Sequence, residues 1–161
     1  MPAPLPRGAP KAYVPPMTTP DNPDTLAPGW AEFTAPDCGL IEQLAREAVV
    51  NLPAPWRGPA TEVALRVVDF APQDMLDEMD LHDPFELTGL YDGTPLTEKS
   101  VMDQPDKPDV IWLFRRPILD EWADRGDVGL GDLVAHVMIH ELAHHFGWSD
   151  DDIAAIDPWW E

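Results

Sequence analysis

Cysteine is nearly missing from this 161-residue chain, and positive charge is scarce. The single cysteine, Cys38, has no partner for an internal disulfide. A disulfide scaffold is thereby excluded, and a reducing, cytoplasmic setting is expected. Ten Lys and Arg stand against thirty Asp and Glu, for a net charge of −20. Phosphate binding needs clustered Lys and Arg, so nucleic acid and anionic membranes are excluded as partners. No apolar run approaches the ~20 residues of a membrane span. The opening stretch "MPAPLPRGAPKAYVPP" lacks the apolar core of a secretory signal. No internal repeat is present.

What the chain has in quantity is proline, unevenly spread. Residues 1–36 hold ten of the twenty prolines and no amphipathic run. They read as a disordered tail, with residues 37–161 as the folded body. The body has 27 acidic and 8 basic residues, and its length suffices for one buried core.

Periodicity orders the body. "CGLIEQLAREAVVNLP" places apolar residues at 40, 41, 44, 45, 48 and 49, a helical stripe closed by Pro53. "TEVALRVVDF" reads as a strand, "PQDMLDEMD" as a short helix, and "FELTGLYDG" as a short strand ending in a turn at Asp92-Gly93. "DVIWLF" reads as a buried strand, and "PILDEWADRG" as a helix opened by proline and closed at Gly126. "GDLVAHVMIHELAHHFG" is the longest helix, with Asp132 as its expected cap and Gly147 where a C-terminal glycine belongs. "SDDDIAAID" begins a last helix. The order implies an α+β fold with a small sheet.

The long helix is apolar on most sides, through Leu133, Val134, Val137, Met138, Ile139, Leu142, Ala143 and Phe146. Such a helix lies inside a domain. His136, His140 and His144 nevertheless form a row four residues apart along it. Imidazoles at i and i+4 can point at one zinc ion. Glu141, ~100° further around the helix, would then lie beside the metal and could take a proton from a zinc-bound water, whose pKa falls to about 7. This is the logic of HExxH metallopeptidases. His136 lies too far from His144 to share its ion and reads as a supporting or core residue; His145 points away and reads as surface or packing. Catalytic zinc sites usually have a third protein ligand. Gly147 can turn the chain, and Asp150 is the natural candidate beyond it. Asp150 equally suits a first-turn acid in a helix capped by Ser149.

With these residues in view, "HVMIHELAHHFGWSDDD" resembles the HExxHxxGxxD signature of small zincin-like metallopeptidases. The resemblance extends through "GLYDGTPLTEKS" and "DVIWLFRRPIL", over roughly residues 37–156. It implies a minimal zincin-like fold, a small mixed sheet packed on an active-site helix. It further implies His140, His144 and Asp150 as zinc ligands, Glu141 as the catalytic glutamate, and a peptide or protein substrate. No methionine follows Asp150, so nothing matches the methionine turn of metzincins.

The expectation is a monomeric zinc peptidase; the alternative is a non-catalytic protein keeping zinc for structure or peptide binding. Glu141 favours the first, because a structural site needs no general base. Two further readings are open to test. Tyr91 is a candidate for stabilising an oxyanion. Arg115 and Arg116 either orient a substrate carboxylate or offset nearby acids.

Overall fold

A computed structural model describes residues 34–100 and 107–154. The Pro-rich tail expected over residues 1–36 lies almost wholly outside the described residues, as do Trp159 and Trp160. Among the described residues, six helices and three strands follow in order: α1 (Cys38–Val50), α2 (Ala54–Thr61), β1 (Ala64–Val68), α3 (Gln73–Glu78), β2 (Gly89–Asp92), β3 (Val110–Phe114), α4 (Arg115–Arg125), α5 (Leu130–His145) and α6 (Asp150–Ala154). A 3₁₀ turn, Pro84–Glu86, precedes β2.

The three strands form one mixed sheet in the order β1-β3-β2. β3 runs parallel to β1, with Ala64 opposite Val110, and antiparallel to β2, with Gly89 opposite Leu113. The central strand shows why "VIWLF" reads as buried. Successive side chains of a strand point to opposite faces, and both faces are covered. Ile111 and Leu113 enter the main core with Ile41, Ala45, Val49, Ile118, Leu133, Val134, Val137, Met138 and Leu142. Phe114 enters a smaller cluster with Ala71, Leu76 and Leu87, against which Trp112 packs. The fold is thus α+β, with α1, α4 and α5 on one face of a small mixed sheet and α3 on the other.

Local chemistry accounts for most element ends. Asp37 caps α1 by accepting a hydrogen bond from the Leu40 N–H at 2.8 Å. Gly126 closes α4 at a φ of 70°. α2 has no counterpart in the sequence reading: "APWRGPAT" carries two prolines and a glycine, and no apolar stripe reveals it. α4 begins at Arg115, directly from β3, so Pro117 is its third residue rather than its first. The expected cap Asp132 lies inside the first turn of α5, and Gly129 takes the N-cap position. No described helix is long and apolar enough to cross a membrane.

Candidate metal centre

The C-terminal half of α5 carries the site, and the turn after it completes it. Gly147 adopts a φ of +89°, a left-handed conformation that glycine enters without a Cβ penalty. The Gly147 N–H donates to the His144 carbonyl at 2.9 Å and the Trp148 N–H to the Ala143 carbonyl at 3.0 Å. These two bonds are the Schellman arrangement that reverses a chain at a helix end.

The reversal has two chemical results. The Trp148 carbonyl comes back to His144 and lies 3.0 Å from its Nδ1. A carbonyl can only accept, so Nδ1 carries the proton, and the Nε2 lone pair points outward. The chain then enters α6, where Ser149 and Asp152 bond each other's N–H groups reciprocally, at 3.3 and 3.0 Å. Asp150, the first residue of that helix, is thereby carried over the histidine row.

His140 Nε2, His144 Nε2 and Asp150 Oδ1 lie 3.2 Å from one another. Among the described residues they are the one group of three or more His, Cys, Asp or Glu side chains gathered closely enough to hold a metal ion. A tetrahedral zinc with bonds of ~2.0–2.1 Å spaces its ligand atoms about 3.3–3.4 Å apart, so the triangle fits zinc. Two imidazoles and a carboxylate are a donor set of the open, catalytic kind. The triangle faces solvent: the His140, His144 and Asp150 side chains are 30%, 27% and 80% exposed. The ligand and first-turn readings of Asp150 are therefore compatible, since one residue occupies both positions. His136 continues the row, its ring 6.2 Å from that of His140.

Glu141 sits one residue around the helix and is buried against β2. Its Oε2 accepts a 2.8 Å bond from the backbone N–H of Tyr91. β2 approaches this closely because of Gly89: a Cβ there would lie 2.8 Å from Val137 and 3.1 Å from Glu141. Burial pushes the Glu141 carboxyl up to about 7 against the pull of His144 and the Tyr91 N–H. Burial also lowers His140, helped by His144 and opposed by Asp150.

Of the two readings of His145, surface or packing, the packing one holds, with polar partners that the sequence did not reveal. It is 3% exposed, and its Nδ1 lies 3.1 Å from the Tyr91 hydroxyl and 3.5 Å from Asp109. Its neighbour Tyr91 does not present its hydroxyl to the histidine triangle; the phenol donates to the Thr94 carbonyl at 2.9 Å. Burial and then the Asp109 carboxylate push that phenol above its ordinary range. Arg115 pairs with Asp69 at 2.6 Å and donates to the Pro36 carbonyl at 2.9 Å, so it offsets an acid.

Sequence reasoning missed three supports: the Trp148 carbonyl, the Tyr91 N–H and Gly89. The first two are backbone groups, which any residue would supply. Gly89 did leave a signal, because glycine inside a strand marks a close approach of another element.

No curated protein matches the chain. The model of the family described as zincin-like metallopeptidase matches residues 60–160. That span starts at the end of α2 and includes the whole sheet, Glu141 and the histidine–aspartate triangle. With nearly two thirds of its length matched, and with a small mixed sheet on an HExxH helix, the chain belongs to the zincin-like metallopeptidase family.

Proposed function

We propose that the protein is a zinc-dependent peptidase, with His140, His144 and Asp150 holding the ion and Glu141 acting as general base and then general acid. The observation that carries this reading is the 3.2 Å triangle of donor atoms next to a buried glutamate. When bound, zinc supplies Lewis acidity, polarising a carbonyl and acidifying a water. The chain's own groups supply the rest. The Trp148 carbonyl keeps the His144 proton on Nδ1, so that Nε2 is available as a donor atom. The Tyr91 N–H anchors one oxygen of Glu141 and leaves Oε1 to take a proton and hand it to the leaving amine. A structural zinc site has no use for that carboxylate. The substrate is a peptide or protein.

The test is Glu141→Gln, measured beside wild type for zinc content and for turnover of peptides found in a library digest with and without chelator. Glutamine matches glutamate in size and leaves both histidines in place, so zinc content is expected to stay at wild type. Turnover is expected to fall ~10²–10⁴-fold, the usual worth of a general base. Equal turnover at full zinc occupancy would remove Glu141 from the chemistry and favour the non-catalytic reading.

A further inference from the structure

The catalytic reading uses neither His145 nor the chain segment over it, yet that segment is bonded at several places to α5 and to Asp109. Residues 93–100 leave β2 and cross the C-terminal end of α5. Asp109, just before β3, fastens this segment at two places. Its Oδ1 accepts from the Thr94 N–H at 3.3 Å, and its Oδ2 pairs with the Lys99 ammonium. Burial pushes the Asp109 carboxyl up, but Lys99 and the Thr94 N–H outweigh it and hold the group below the usual carboxylate range.

Between these fastenings the segment holds the end of α5 and its turn at two points, and Tyr91 of β2 adds a third. The Leu96 N–H donates to the His145 carbonyl at 2.8 Å, one of the helix-end carbonyls without an intrahelical donor. Thr97 packs on Gly147 so tightly that a Cβ there would lie 2.3 Å from its Oγ1. The Tyr91 hydroxyl meets His145 Nδ1 at 3.1 Å, with Asp109 at 3.5 Å from the same nitrogen. The Tyr91 hydroxyl also bonds the Thr94 carbonyl at 2.9 Å, so the phenol, the ring and the Asp109 carboxylate share one polar cluster. The main chain and the ring of His145 are thus both held, one residue beyond His144.

We propose that residues 93–100, pinned by Asp109 and bonded to His145, are a positioning strap for the metal centre. The strap fixes the turn at Gly147, and that turn brings the Trp148 carbonyl and Asp150 back to His144. None of Tyr91, Thr97, Lys99, Asp109 or His145 places a side-chain atom in the donor triangle, so they act on the ion through geometry alone. This inference rests on the proposal that the triangle holds zinc. Groups that orient metal ligands from outside typically contribute 10–100-fold in metal affinity.

The experiment compares the full-length wild type with Tyr91→Phe and Asp109→Ala, and with Ile41→Val as a packing defect in the core beside α5. Three quantities are read: the zinc dissociation constant by competition with a chromophoric chelator, the visible spectrum of the cobalt-substituted protein, and Tm of the metal-free form. Tyr91→Phe keeps the ring and the backbone N–H and removes only the hydroxyl. Both strap variants are expected to weaken zinc binding by roughly 10–100-fold and to change the cobalt spectrum. Ile41→Val is expected to lower Tm while leaving affinity and spectrum at wild type. If Asp109→Ala fails to fold, Tyr91→Phe decides. Wild-type affinity and spectrum in Tyr91→Phe would overturn the strap, and so would losses matched by Ile41→Val at equal Tm. Wild type that binds no zinc would overturn the metal site and the strap together, whereas variants equal to a zinc-binding wild type remove the strap alone.

Discussion

α1 and α5 pack against each other in one core, and they are built on opposite plans. α1 follows local rules. A side-chain cap opens it, a single stripe of Ile41, Ala45 and Val49 is buried, and its outer face carries Arg46 on Glu42 at 2.6 Å, one turn apart. α5 breaks those rules. No side chain caps its start, and its buried residues include Glu141 and His145 as well as five apolar side chains. Its two buried polar residues are satisfied by groups distant in the sequence: the Tyr91 N–H for Glu141, and Leu96, the Tyr91 hydroxyl and Asp109 for His145. A helix whose polar groups are satisfied from elsewhere is where a fold spends stability on function.

Substitutions can sharpen or break this contrast. The largest effect is expected at the end of α5. Asp150→Ala should reduce zinc content to near background, while Asp151→Ala, on the same short helix, should keep it. Metal analysis of the two variants decides, and the reverse result would move the third ligand off Asp150. Next comes Gly89→Ala, whose added methyl meets Val137 and Glu141. Forcing a methyl into a packed contact typically costs about 1–3 kcal/mol, so Tm should drop by several degrees and turnover should fall with it. An unchanged Tm would mean that β2 and α5 separate easily, and that the close fit holding Glu141 is not needed.

On α1 the expected effects are smaller and touch stability alone. Asp37→Ala removes the cap and should cost about 1 kcal/mol, a fall of roughly 4 °C in Tm, with zinc affinity unchanged. Loss of zinc affinity in that variant would tie α1 to the site and erase the contrast. Arg46→Ala should be nearly silent, since an exposed i,i+4 pair contributes only ~0.3–0.5 kcal/mol. A chemical denaturation midpoint shifted well beyond that would show that the outer face of α1 is not merely solvated.

The contrast also explains what could be read in the sequence. Elements defined by apolar spacing were legible: α1 from its stripe, β3 from "VIWLF", and α5 from its length. The His140–His144 pair was legible because it sits one turn apart on one helix; Asp150, beyond one glycine turn, was one of two open readings until the family resemblance favoured it as a ligand. α2 was not legible, because its residues resist a periodic reading. Nor was the role of His145, since its partners lie 36 to 54 positions away and meet it only through the sheet. Adjacent histidines in a helix look alike in sequence; packing sends His144 toward solvent and His145 into a polar interior.

That compact spacing of the donors affects how metal and folding are coupled. A ligand set scattered through a fold exists only when the chain is folded, so its full binding free energy goes to stability. Here a single eleven-residue segment carries all three proposed donors, and a helical turn with a glycine reversal brings them near one another even before distant groups fix the turn. If the triangle holds zinc as proposed, the unfolded chain should keep some affinity for it, and binding to the unfolded state would subtract from the stabilisation that saturation otherwise provides. Saturating zinc should raise Tm by less than the dissociation constant of the folded protein implies, and that shortfall measures how much of the metal centre is a property of the local segment.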